Sequence, residues 1–176
     1  MALDTFATER LTAERLTEGH YDVLRSMDQD PMLMAMLGGV RDEGGTRGYL
    51  DTNLRHWDEY GFGVWMLRET GTGEIVGRGV LRHLAIDRPD DVEVGYGFVP
   101  AQWGRGLATE IAKELVRRAH EDLGLRTLVA LTLPSNEKSQ RVLTKVGMHL
   151  QAEVQHAGVP HRFYRMALPA QTPTPS

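Results

Sequence analysis

Between Phe98 and Glu110 the chain reads Phe-Val-Pro-Ala-Gln-Trp-Gly-Arg-Gly-Leu-Ala-Thr-Glu. An alternating strand meets a proline, then two glycines one residue apart, then at once an amphipathic helix. The backbone amides of Gly104, Arg105, Gly106, Leu107 and Ala108 thus stand at a helix start with little side chain around them. Amides so placed, at the positive end of the helix dipole, suit a diphosphate, and glycine permits positive φ and close approach. Arg105 or Gln102 could add a charge or a hydrogen bond. Rival phosphate loops fit less well. A dinucleotide site wants a third glycine or alanine in register, where Thr109 stands, and an acid closing the next strand, where Leu133-Pro134-Ser135 stands. A nucleoside-triphosphate loop needs Gly-Lys-Ser or Gly-Lys-Thr, and the sequence has neither.

The strand before this loop is the second chemical feature. Val92, Val94, Tyr96 and Phe98 fall on one face, and Glu93, Gly95, Gly97 and Val99 on the other. Two glycines on one face weaken a strand, so something approaches the backbone there: a ligand, a core side chain, or a bulge. Glu93 is a mid-strand carboxylate on that glycine-bearing face, which calls for a partner or a function. It is either a general base working through a water or one half of a salt bridge to Arg78 or Arg82. The seven histidines do not cluster at metal spacing, and no metal site is expected.

The elements that must position these residues can be read from periodicity and punctuation. Thr8 to Thr17 predicts a first strand, and Thr17 caps a short helix that Asp30-Pro31 stops. Gly38-Gly39 and Gly44-Gly45 bracket an expected loop, followed by a helix over Thr46 to Tyr60. A meander comes next: Gly63 to Arg68, Glu74 to Ile86 and Val92 to Val99. The helix after the glycines carries Leu107, Ile111, Leu115 and Ala119 on one face and ends at Gly124. Thr127 to Leu133 predicts a buried strand. A helix capped by Ser135 or Asn136 runs to Gly147, and Met148 to His156 and His161 to Leu168 form a final strand pair.

Composition bounds the rest. The chain has 176 residues, 41% apolar and 25% charged, which suits one domain with one core. No apolar run approaches the roughly 20 residues needed to span a bilayer, and no secretory signal is apparent, so a cytoplasmic protein without membrane contact is expected. The absence of cysteine excludes disulfides, thiolate zinc sites and a cysteine nucleophile. A net charge of −4 with well-mixed signs argues against nucleic-acid binding. The domain is expected over residues 8–168. Residues 1–7 and the proline-rich 169–176 are expected to be disordered termini.

The run Gln102-Trp103-Gly104-Arg105-Gly106-Leu107-Ala108 resembles the acyl-coenzyme A loop of the GCN5-related N-acetyltransferases. The run Asn136-Glu137-Lys138-Ser139-Gln140-Arg141-Val142-Leu143, roughly 30 residues further on, resembles a helix of their Rim-type ribosomal-protein N-terminal acetyltransferase branch. This resemblance implies a mixed α/β single-domain acyltransferase fold. Its central, mostly antiparallel sheet would splay between its fourth and fifth strands, with helices on both faces. It also implies acetyl-CoA as acyl donor, whose pantetheine arm fills the splay. The residues implied to hold that carrier are Phe98, Val99, Gln102, Gly104, Arg105, Gly106, Leu107, Ala108, Thr109, Asn136 and Arg141. The Val99 amide would face the thioester carbonyl, Asn136 would bond the pantetheine, and Arg141 would reach phosphate or remain a solvated charge.

Many family members place a tyrosine where this chain has Leu143, as acid for the departing thiolate. Ser139 is the nearest hydroxyl here, and either takes that role or is an ordinary small helix residue. With Glu93 as base, the implied activity is direct acetyl transfer to a primary amine, of a protein N-terminus or a small molecule. Leu143 keeps a second expectation alive, a non-catalytic acyl-CoA sensor or scaffold. A homodimer is left open.

Overall fold

The computed structural model describes residues 3–170. Eight strands form one sheet: β1 (Thr5–Ala7), β2 (Leu11–Arg15), β3 (Val64–Glu69), β4 (Ile75–His83), β5 (Val92–Phe98), β6 (Thr127–Thr132), β7 (His149–His156) and β8 (Val159–Ala167). Five α-helices accompany them: α1 (Tyr21–Gln29), α2 (Pro31–Met34), α3 (Glu43–Tyr60), α4 (Leu107–Glu121) and α5 (Glu137–Lys145). The strand order is β1-β2-β3-β4-β5-β6-β8-β7. Every neighbouring pair is antiparallel except β5–β6, which is parallel and touches in register only at Glu93↔Val129. By contrast, β4 and β5 stay paired over seven residues, from Gly77↔Phe98 to His83↔Val92. From Glu93 onward β5 and β6 part, and this is the expected splay, lying between the fifth and sixth strands once β1 is counted.

Two expectations are corrected. Residues 3–7 are part of the domain: Thr5–Ala7 pairs antiparallel with β2, from Thr5↔Glu14 to Ala7↔Thr12, and Leu3 and Phe6 are buried. The remaining terminal residues, 1–2 and 171–176, lie outside the described residues. Gly44 and Gly45 do not bracket a loop but form the first turn of α3, where the Asp42 side chain accepts a hydrogen bond from the Gly45 amide at 2.7 Å. A carboxylate at the N-cap starts the helix ahead of its apolar face, and glycine is tolerated in that first turn.

The two faces of the sheet are covered by different helices. A side chain added at Gly79 would lie 3.3 Å from Ile111 and Leu115 of α4, so that face of β4 belongs to α4. One added at Gly97 would meet Leu37 and Leu33, so the other face belongs to the α1–α3 region. Leu107, Ile111, Leu115 and Ala119 are all buried, as their spacing requires. Trp65 pairs across β3 and β4 with Gly79 and so shares the face of α4, and its ring meets that of Trp57 from α3 edge to face, with centroids 5.1 Å apart. Among the described residues, no helix is long and apolar enough to cross a membrane.

Candidate active site at the splayed strands

Backbone parity decides which β5 groups face the opening. The Val99 amide donates to the Val76 carbonyl of β4 at 2.9 Å. Successive residues of a strand turn their N–H and C=O to opposite sides, so Gly97, Gly95 and Glu93 also look toward β4. Phe98, Tyr96 and Val94 look toward the side from which β6 departs. The Val99 amide is therefore engaged in the sheet, and the expectation that it faces the opening is corrected by one residue, to Phe98. The Phe98 carbonyl accepts from Trp103 Nε1 at 2.7 Å, which pins the loop to the strand end.

Beyond Trp103 the chain turns through two left-handed glycines, Gly104 and Gly106, each with φ of 79°. Gly106 is the N-cap of α4, and the first helical bond runs from the Glu110 amide to the Gly106 carbonyl at 3.1 Å. No hydrogen bond to another described residue engages the amides of Gly104, Arg105, Gly106, Leu107, Ala108 or Thr109. Six consecutive unsatisfied donors at a helix start, beside open space at Gly104, fit a diphosphate. The Arg105 and Gln102 side chains turn to each other, and Arg105 Nη1 also donates to Glu69 at 2.7 Å. That guanidinium holds the Glu69 carboxyl below its usual range.

A brace from a distant part of the chain holds this loop. Arg10 Nη1 donates to the Arg105 carbonyl at 2.7 Å, and Arg10 Nε to Glu110 at 2.7 Å. Thr8 Oγ1 and the Arg10 amide both donate to the other Glu110 oxygen, at 2.6 and 2.8 Å. Burial tends to raise the Glu110 pKa, but these bonds prevail and leave it below the ordinary carboxylate value. Sequence reading missed Arg10, and no local signal could have found a partner 100 residues away.

Across the opening, α5 brings Ser139 to β5. The Tyr96 hydroxyl and Ser139 Oγ lie 3.0 Å apart, and the same hydroxyl is 3.3 Å from the Ser139 carbonyl. Burial pushes the Tyr96 phenol up to about 12 despite its bond to Ser139. Asn136 is the N-cap of α5, its Oδ1 accepting from the Ser139 amide at 3.2 Å. Arg141 pairs at 3.7 Å with Glu137, both well exposed, which is the solvated-charge alternative. Leu143 is buried in the core. Lys138 lies 5.5 Å over the Trp103 ring, linking α5 to the loop. Sequence reading also missed Tyr96 as a chemical group. Its place between two glycines, one residue from Glu93's face, was the available signal.

Glu93 lies on the opposite face, in a cavity of about 90 Å³ lined by residues that include Arg41, Tyr49, Arg78, Arg82 and Gly95. Its Oε2 accepts from Arg82 Nε at 2.9 Å, so one of the two expected salt bridges exists. The other expected partner, Arg78, is committed instead to Asp28 at 3.0 Å. Gly97 proves to be the close approach of a core side chain: a Cβ there would lie 2.9 Å from Leu37 Cδ1. Gly95 has ordinary clearance, 3.6 Å from Val80, and opens onto the cavity. Among the described residues, no group of three or more metal-binding side chains gathers.

Comparison with known proteins agrees with this geometry. The family described as acetyltransferase (GNAT) domain matches residues 10–149. The chain is 31% identical over 163 residues to the FsC-acetyl coenzyme A-N(2)-transacetylase of Aspergillus fumigatus, covering 84% of this chain and 66% of that protein. An acetyltransferase structure from Agrobacterium tumefaciens superimposes with a TM-score of 0.82 at 29% identity, covering 94% of this chain and 95% of that one. RimL, a ribosomal L7/L12 alpha-N-protein acetyltransferase solved with coenzyme A, shares the fold at a TM-score of 0.77 and 16% identity, over 95% and 99% of the two chains.

Proposed function

Since the chain belongs to the GNAT acetyltransferase family, we propose that it transfers the acetyl group of acetyl-CoA to a primary amine by direct attack on the thioester. The observation that carries this reading is the row of six unsatisfied amides, 104–109, at the foot of the β5–β6 opening. Gly104 and Gly106 present those amides to a diphosphate, with Arg10 and Glu110 fixing the loop from behind. Acetyl-CoA supplies the activated acetyl group. The Phe98 and Tyr96 backbones border its arm on the open side of β5.

The acceptor amine must lose a proton, since an α-amino group has a pKa of about 8 and a lysine about 10.4. Glu93 keeps Oε1 without a hydrogen-bond partner among the described residues and takes that proton through a water. The departing thiolate needs a proton in turn. Ser139 donates it and recovers it from Tyr96, whose hydroxyl is within hydrogen-bond reach and which regains its own proton from water. This pair stands in for the tyrosine absent at position 143 and supports a transferase over a sensor. With no cysteine in the chain, no thioester to the enzyme can form.

The test is a free-thiol assay with acetyl-CoA and a panel of amines, alongside coenzyme A binding by calorimetry. The reading requires thiol release that depends on an amine. Saturable binding with no release from any amine marks a sensor instead. Gly106→Asp sets a carboxylate against the diphosphate and should weaken coenzyme A binding about a hundredfold. Gly106→Ala separates charge from backbone strain. Glu93→Gln should lower turnover far more than carrier affinity; equal rates across pH place the base elsewhere.

A further inference from the structure

The cavity beside Glu93 has an unusual charge inventory. On β4, alternation puts Arg78, Val80 and Arg82 on one face, opposite Gly97, Gly95 and Glu93 of β5. The segment before α3 adds Arg41, and α1 adds Asp28 from beneath. Asp28 is fully buried, and a single oxygen, Oδ1, receives both Arg41 Nη1 at 2.9 Å and Arg78 Nη1 at 3.0 Å. Its second oxygen accepts from the Thr46 hydroxyl at 3.0 Å. One carboxylate thus serves two guanidinium groups, and Glu93 serves the third. Three cations face two anions around one small space.

The spare donors point to what would balance them. Arg78 is buried and spent, since its other Nη reaches Met34 Sδ at 3.3 Å. Arg41 and Arg82 are part-exposed, at 26% and 30% of their side chains, and each meets its carboxylate through one nitrogen. A guanidinium carries five N–H donors arranged to grip a carboxylate in pairs. Tyr49 holds the cluster in place, with Arg41 over its ring at 4.5 Å and Arg78 at 5.0 Å.

We propose that the acceptor is an amine with a carboxylate only a few bonds away, gripped by the free edges of Arg41 and Arg82 while its amine faces Glu93 and Gly95. This rests on the acetyltransferase reading above. The cavity, about 90 Å³, is small and open to the surface. It suits an ammonium, a short spacer and a carboxylate, with any remaining substrate outside. An acceptor with a second cation, such as a polyamine, meets the surplus positive charge unfavourably. An uncharged monoamine gains nothing from it.

The experiment compares kcat/KM for matched sets: a free amino acid, its primary amide and its decarboxylated amine, together with a short peptide beginning in aspartate. Acids should exceed amides and decarboxylated amines by about tenfold or more, the size of a lost charge-assisted pair. The free amino acid and the peptide distinguish the two sources of the carboxylate. Arg41→Gln should raise KM for the acid about tenfold, and Arg41→Lys should keep part of the preference, with circular dichroism showing that both variants fold. Amides or decarboxylated amines used as well as acids overturn the proposal and leave the transferase intact, as does a folded Arg41→Gln variant that keeps the full preference. Absence of thiol release from every amine overturns the transferase reading, and this proposal with it.

Discussion

Tyr96 keeps its proton until about pH 12, so at neutral pH it can only donate or relay. Ser139 alone is a poor acid. Joined at 3.0 Å, the two hydroxyls pass a proton outward without either holding a charge for long. Ser139→Ala should lower kcat about a hundredfold, within the usual range for losing a general acid, with coenzyme A affinity held within about twofold. Tyr96→Phe should cost as much or slightly less. The double variant should be no worse than the poorer single one, because both remove one relay. Pre-steady-state thiol release measures this directly. Single variants with unchanged rates, or a double variant whose losses multiply, would show that the hydroxyls do not act as one unit.

At the scale of the element, the two glycines of β5 separate packing from chemistry. Gly97 is full: a Cβ would press on Leu37 Cδ1 at 2.9 Å. Gly97→Ala should destabilise by about 1–2 kcal/mol, and Leu37→Ala in the same chain should return much of that. Gly95→Ala meets only Val80 at 3.6 Å. Its stability should stay within about 0.5 kcal/mol of the parent, while KM for the acceptor rises because the methyl enters the cavity. Urea denaturation with acceptor kinetics checks both, and a destabilised Gly95→Ala with normal KM contradicts the assignment.

The brace on α4 gives a pH signature. The folded pKa of Glu110 is depressed, so its stabilisation is present above its ordinary value near 4.5 and is lost as pH falls through the lower folded value. Glu110→Gln should therefore lower stability at neutral pH and flatten the acid limb below about pH 4.5. Melting curves from pH 7 to 3 show it, and parallel limbs for variant and parent would refute it.

These elements also show what the sequence disclosed. The α4 stripe, the glycine corner and the Asn136 cap were legible because each is a local pattern within a few residues. The paired glycines of β5 signalled a close approach but could not show that Gly97 faces Leu37 while Gly95 faces the cavity, and the β5–β6 splay was implied by the family resemblance alone. The hydrogen-bonding side of the Val99 amide depends on strand parity relative to β4, which hydrophobic alternation does not report. Arg10–Glu110, Asp28–Arg78 and Tyr96–Ser139 join residues 100, 50 and 43 positions apart. Such contacts exist only after the sheet has assembled.

For the whole molecule, the unexpected strand β1 makes the amino-terminal residues a closing piece of the core. Leu3 and Phe6 are 6% and 5% exposed, and Phe6 meets Trp65 edge to face at 5.5 Å. Arg118 of α4 lies 4.2 Å over the Phe6 ring, so this strand touches the helix that begins at the glycine corner. The fully buried Trp65 has Nε1 bonded to the Leu3 carbonyl at 2.8 Å, and the Arg15 amide is bonded to the Asp4 carbonyl. Burying an aliphatic or aromatic side chain stabilises by about 1.5–3 kcal/mol, and a stranded buried indole N–H costs about 1–3 kcal/mol. Removing residues 1–7 should thus cost about 4–9 kcal/mol, comparable with a typical domain's whole stability of about 5–15 kcal/mol. The shortened chain should melt far lower or fail to fold. Phe6→Ala, at about 3–5 kcal/mol, gives a graded version that remains measurable by urea denaturation. Phe6 lies under Arg118, a residue in the last turn of α4, while the glycine corner opens that helix, so the folded Phe6→Ala protein should keep its coenzyme A affinity while losing stability. A shortened chain that melts with the parent would show that β1 is dispensable and that the core closes without it.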